Sequence, residues 1–319
     1  MDFYQVLQII IPSMIALAAP LIFTSLGGVF SERAGVINIG LEGLMVIGAF
    51  TGIVFNLMFA DVFGEWTPWL AVLAAMIAGL LFSIVHAVAC ITFRADQTVS
   101  GVAINLLAVG LTMFLVKLIF DKGQTDRITE TFPRIDVPLL SDIPFIGPIF
   151  FANGYYIVYI AILISFVVWY VLYKTPFGLR IRAVGEHPMA ADTMGVNVTK
   201  IRYAAVLLSG AFGGIGGAIY ATIFSNEFNH ATINGQGFMA IAAMIFGKWH
   251  PIGAMGAALF FGLAQSLSIV GSSLPFFKDI PSVYLLIAPY VLTIIALTGF
   301  IGRADAPKAS GQPYIKGKR

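Results

Sequence analysis

Seven polar side chains stand in otherwise apolar surroundings: Glu32, Asn38, Glu42, Asn105, Asn226, Asn234 and Gln236. Carboxylates and amides are costly in lipid, so at membrane depth they face protein or water. Two kinds of work are open to them. They can tie off backbone groups freed by nearby glycines or cap helices, or they can contact a passing solute. An amide offers a donor and an acceptor side by side, which suits pairing with a base edge.

Other chemistry is missing. No G-x-x-x-x-G-K-[ST] phosphate loop occurs; Gly213–Gly217 lacks the lysine and lies in an apolar run. No Cys/His cluster points to a metal site, and no Ser/His/Asp arrangement can be argued. The single Cys90 cannot form an internal disulfide. His86, alone in an apolar run, reads first as a satisfied core histidine and second as a proton relay. His187 and His250 fall beside basic loops, and His230 falls in a polar break. The pattern is that of a conduit rather than an enzyme, with no cofactor of its own.

Long apolar elements must position these groups. The chain has 319 residues, 59% hydrophobic and 11% charged, with a mean hydropathy of +0.91. Soluble domains carry about 25% charged residues. The apolar runs are about twenty residues long, the length of membrane helices rather than barrel strands. The expectation is an all-α polytopic membrane protein with about nine transmembrane helices, within a range of eight to ten. The spans fall near 9–30, 44–59, 68–93, 98–120, 155–173, 203–224, 236–247, 252–270 and 283–301. The opening MDFYQVLQIIIPSM lacks the basic segment of a signal peptide, so the first run reads as a retained span. The run 236–247 is too short to cross alone and predicts a broken or re-entrant helix.

Charge fixes the orientation. With the 303–319 tail inside and nine crossings, the N-terminus is outside. Segments 31–35, 94–97, 174–202, 248–250 and the tail then hold 13 of the 18 Lys and Arg, while the outer segments hold 10 of the 16 acids. Basic loops stay in the cytoplasm. The 174–202 loop carries Lys174, Arg180, Arg182, Lys200 and Arg202 against Glu186 and Asp192. Within it, Glu186 to Met194 predicts a short helix on the inner face, with Pro188 in its first turn and Gly185 and Gly195 as its ends. Residues 121–152, proline-rich and acidic, read as an outer loop. Residues 1–302 form one permease-like domain, followed by the basic tail.

An internal echo links two of the breaks. Ile37-Asn38, then Glu42-Gly43-Leu44-Met45-x-Ile47-x-Ala49, matches Ile233-Asn234, then Gln236-Gly237-Phe238-Met239-x-Ile241-x-Ala243. The first begins at the inner face and the second at the outer. This predicts inverted repeats, 9–120 against 203–301, with a pathway where the broken helices meet.

The stretches SERAGVINIGLEGLMVIGAF, RADQTVSGVAINLLAVGL, FGLRIRAVGEHPMAADTMGVNVTKIR and GFMAIAAMIFGKWHPIGAMGAALFFG together resemble the permease subunit of a bacterial nucleoside ABC importer. This is the branch of the branched-chain amino acid and ribose permease superfamily that works with a basic-membrane-protein type lipoprotein. The resemblance implies a multi-pass protein of the bacterial cytoplasmic membrane. Its implied partners are a cytoplasmic ABC ATPase that binds ATP and Mg, a second and different permease subunit, and an extracytoplasmic substrate-binding lipoprotein; nucleic acid is not among them. The implied solute is a nucleoside, such as the purine guanosine. By motif position, Gly185, Glu186, His187, Pro188, Ala190, Ala191, Asp192 and Gly195 belong to the segment on which the ATPase docks. Two alternatives stay open: a proton-coupled secondary transporter using Glu42 or His86, and an ABC permease for sugars or other small solutes. The polar breaks argue against a third, a membrane scaffold that transports nothing.

Overall fold

The computed structural model describes residues 3–271 and 306–317, with the isolated positions 284, 287, 291 and 294. The expected span at 283–301 therefore lies almost entirely outside the described residues. Within them the chain is helical, without a strand. Its long helices are α1 (Phe3–Arg33), α2 (Leu41–Phe63), α3 (Thr67–Ala87) and α4 (Gln97–Phe120). The short α5 (Gly147–Phe150) precedes α6 (Tyr156–Lys174), α7 (Pro176–Glu186) and α8 (Pro188–Thr193). Then come α9 (Val198–Tyr220), α10 (Gln236–Phe246) and α11 (Pro251–Val270).

Six stretches among the described residues are long and apolar enough to cross a membrane. The longest, Leu41–Thr92, has 52 residues. As one straight helix it would reach about 78 Å, against a hydrocarbon core of about 30 Å. It instead turns at Gly64, where φ is +49°, and α2 and α3 fold back against each other. This chain is an integral membrane protein. The eleven-residue α10 is too short to cross by itself.

α9 is the centre of the packing, lying against α1, α2 and α3. Glycine makes this possible. A Cβ on Gly48 of α2 would run into the backbone of Gly214, and one on Gly214 would meet the Ala75 carbonyl of α3. Backbones this close exchange dispersion contacts that larger side chains would prevent. The main apolar core lies between α1, α6, α9, α10 and α11 and includes Leu21, Ile22, Leu26, Ala205 and Phe261.

The loops sort to two ends. At one end, Arg33 reaches the 248–249 turn and Tyr173. Thr92 bonds Tyr203, and the tail bonds α7 and α9. At the other, Tyr4 donates to the Phe145 carbonyl, Asn56 to that of Glu130, and Arg127 pairs with Glu227 at 3.0 Å. The basic segments 31–35, 92–97, 173–202, 248–250 and the tail thus share one face, opposite the 121–155 loop.

The short helix expected at 186–194 is present as α8, with Pro188 in its first turn. Its expected start at Gly185 is corrected: a separate helix, α7, runs through Gly185 to Glu186. Pro176 starts α7, and Pro188 ends it by denying the chain a donor and forcing His187 out of helical geometry (φ −143°, ψ 80°). Gly185 is a packing position instead: a Cβ there would overlap the Arg33 carbonyl. Gly195, at φ +84°, does end the segment.

Candidate functional site

The site grows from the break between α1 and α2. Gly35 takes a left-handed turn at φ +82°, and residues 34–40 are non-helical until Leu41 starts α2. Backbone groups freed there need partners. Asn105, on α4, supplies two: its Oδ1 accepts from Gly43 N–H at 2.7 Å and its Nδ2 donates to the Ile39 carbonyl at 3.1 Å. Gln97 Oε1 accepts from Ile37 N–H at 2.7 Å. His86 bridges Ile37 O at 3.0 Å and Ser100 Oγ at 2.9 Å. Asn38 is buried and donates from Nδ2 to Ser209 Oγ of α9 at 2.9 Å.

The second break lies between α9 and α10. A π-turn over Ala221–Ser225 ends at Asn226, which is left-handed at φ 57°. The chain then runs irregularly to Gly235, from which α10 starts. Here the two breaks join. Glu42, in the first turn of α2, accepts from Gly235 N–H with one oxygen and from Gly237 N–H with the other, both at 2.6 Å. Helix starts present free N–H groups and a partial positive charge. One buried carboxylate therefore serves two helix starts at once: it is in the first turn of α2 and it caps α10. Next to it, Gln236 Oε1 accepts from Gln265 Nε2 of α11 at 3.3 Å. Asn234, just before the cap, is exposed.

A third cluster sits at the basic face. Glu32 accepts from Trp249 Nε1 at 2.5 Å, and Arg33 Nε donates to the Trp249 carbonyl at 2.8 Å. The last turn of α1 so clamps the left-handed turn at Lys248 and Trp249 that follows α10. His250 lies against Tyr173, 4.9 Å between ring centres with the rings tilted by 46°. Burial, and then the charge of Arg33, hold its imidazole below its ordinary pKa.

Of the seven polar residues singled out in the sequence, Glu42, Asn105 and Gln236 converge on the joined helix starts, with Asn38 close by in the chain and Asn234 beside the cap. Glu32 belongs to the basic-face clamp, and Asn226 to the opposite end, where its carbonyl accepts from Ile128 N–H at 2.9 Å. Gly185 and Glu186 end α7, His187 is the link, Pro188, Ala190, Ala191 and Asp192 form α8, and Gly195 follows it. Sequence reasoning missed Gln97, Ser209, Trp249 and Gln265. A lone amide in the apolar run 251–270 was as strong a signal as Asn105, and Gln265 was legible on that ground. Among the described residues no group of acids, histidines and cysteines could hold a metal ion.

Residues 10–297 match the family described as branched-chain amino acid transport system / permease component. The guanosine ABC transporter permease protein NupQ of Bacillus subtilis is 66% identical over the full length of both chains. The nucleoside ABC transporter permease protein NupC of Lactococcus lactis is 54% identical, again over the full length of both. The putative glucose ABC transporter permease protein TsgC13 of Haloferax volcanii is 37% identical across 82% of this chain and 77% of its own. With a family match over most of the chain and full-length relatives, the chain belongs to the permease-component family of branched-chain amino acid transport systems.

Proposed function

We propose that this chain is the membrane-spanning permease subunit of an ATP-driven nucleoside importer, with purine nucleosides such as guanosine as its solutes. The observation that carries this reading is the 66% full-length identity to a guanosine permease. The polar, broken helices give it a physical basis: they provide hydrogen-bonding groups at depth and a joint that can move. Separate cytoplasmic ATPase subunits, holding ATP and Mg, dock on Gly185 to Gly195 and drive alternating access. A second, different permease subunit completes the pathway, and an extracytoplasmic lipoprotein delivers the solute. The protein crosses the bacterial cytoplasmic membrane nine times, N-terminus outside, as inverted repeats. The gathering of the basic segments at one face supports that orientation.

In this mechanism the Glu42 cap is the joint between the repeats. Any movement of α10 against α2 must break or carry along two short hydrogen bonds to one carboxyl group. Glu32 and Arg33 tie the other end of α10 to α1, next to α7. A push on α7 and α8 therefore reaches α10 through the end of α1.

The test is uptake of labelled guanosine in cells expressing the chain with its partners, using an intact ATPase and one lacking its phosphate-loop lysine. Uptake lost with the altered ATPase supports the importer. Uptake unchanged there, but abolished by a protonophore with ATP maintained, would replace it by a proton-coupled carrier. The glucose relative favours one second reading, a sugar permease; excess glucose that displaces labelled guanosine would support it.

A further inference from the structure

The C-terminal segment 306–317 is folded onto the basic face rather than trailing from it. Ala309 N–H donates to the Gly185 carbonyl of α7 at 2.9 Å. Arg202 Nη1, on a fully buried side chain of α9, donates to the Gln312 carbonyl at 2.9 Å. Gly311, left-handed at φ +75°, lies over Ile37 in the first break. Tyr314 packs on Val184, Ala191 and Val198, the apolar cluster beneath α8. Pro307 and Ala309 are themselves buried. Two of these contacts are hydrogen bonds between distant segments, and one uses a buried cation, so the tail has a fixed position.

Its outer side forms a groove with α8. Pro188 and Met189 make one wall; Gln312, Pro313, Tyr314 and Ile315 make the other, enclosing about 370 Å³. Lys308 and Lys316, on either side of the 312–315 wall in the sequence, are exposed, while Asp192 is turned against Tyr314. An apolar floor with a basic rim fits a partner that offers an apolar plug with acidic neighbours.

We propose that the tail is the second wall of the surface that receives the cytoplasmic ATPase, so that the ATPase seats between α8 and residues 312–316. This rests on the importer reading, which puts the ATPase on α8; the groove is continuous with that helix, and no partner can fill it without touching the tail. Lys308 and Lys316 then face acidic groups of the ATPase.

The experiment measures binding of the partner ATPase to the permease pair in nanodiscs, for the full chain, for a chain ending after residue 305, and for the full-length double variant Lys308→Glu/Lys316→Glu. The two lysines are exposed, so the double variant tests the surface even if the truncated chain does not fold. Truncation is expected to weaken binding at least ten-fold. Charge reversal is expected to weaken it several-fold and to flatten its salt dependence. Unchanged affinity and salt dependence in the double variant, or unchanged affinity in a folded truncated chain, would overturn the proposal. So would an effect of charge reversal that follows only the anionic lipid content of the nanodisc, which would assign the tail to lipid headgroups. An ATPase that fails to bind the full chain would overturn the importer reading itself, and the tail proposal with it.

Discussion

Glu42 sets the energetics of the site because both its oxygens are used. Glutamine in its place keeps one acceptor but turns an NH2 toward a backbone N–H, donor against donor. Glu42→Gln is therefore expected to lower stability by about 1–3 kcal/mol and to impair solute uptake strongly. Glu65 is exposed in the α2–α3 turn, so Glu65→Gln should stay within about 0.5 kcal/mol of the parent. Thermal unfolding in detergent and uptake, measured on both variants, check this; equal tolerance would leave Glu42 without a role at the joint. His250 gives a pH test. Its folded pKa lies below the ordinary value, so around that value the unfolded chain binds more protons, and stability falls with falling pH. Between about pH 7.5 and pH 5.5, either side of the ordinary histidine range, the parent should lose more unfolding temperature than His250→Gln. A His250→Gln variant that loses as much would show that the imidazole titrates freely.

The elements show how far a sequence alone can be read. Span positions up to residue 270 were legible because twenty-residue apolar runs have few physical outcomes in a bilayer, and α10 was legible as a short helix because its run is too short to cross. Gly210, Gly213, Gly214 and Gly217 of α9 recur at a spacing that keeps one face small, and α2 and α3 approach along it. The partner of Glu42 was hidden, because Gly235 lies 193 residues away and only tertiary packing brings two helix starts together. α7 was hidden by Arg180 and Arg182, which made the region read as a loop. Its buried Gly178, Ile181, Val184 and Gly185 recur at the spacing of one helical face. Packing on α9 leads to a paired test. Gly214→Val would push a branched side chain into the Ala75 carbonyl and Gly79 of α3, at a cost of about 3 kcal/mol. Gly110, on α4, has open space around it, so Gly110→Ala should gain about 0.5–1 kcal/mol from helix propensity. Opposite shifts in unfolding temperature are expected. A Gly214→Val chain as stable as its parent would mean that α9 can move away from α2 and α3.

At the scale of the whole molecule, the arrangement turns on having two unlike faces. Arg33, Lys174, Arg180, Arg182, Lys200, Lys248 and Lys308 gather at one, and the acidic 121–155 loop lies at the other. In the proposed orientation, drawn from the positive-inside bias, the basic face is cytoplasmic, where the proposed ATPase would reach α8 and the tail. The assignment can be tested with single cysteines, because the only native one, Cys90, is buried and contributes little background. Asp142 and Lys308 are both exposed and lie in the two opposite sets of loops. Asp142→Cys should react with an impermeant thiol reagent on intact cells, and Lys308→Cys only after lysis. The reverse pattern would invert the protein, placing α7, α8 and the tail where no ATP is available and removing the physical basis for ATP-driven import. Labelling of both positions on intact cells would mean that the two sets of loops share one side. That arrangement would need α1, α6 and α11 not to cross, although each is an apolar helix of the required length. The labelling therefore tests the orientation and the mechanism together.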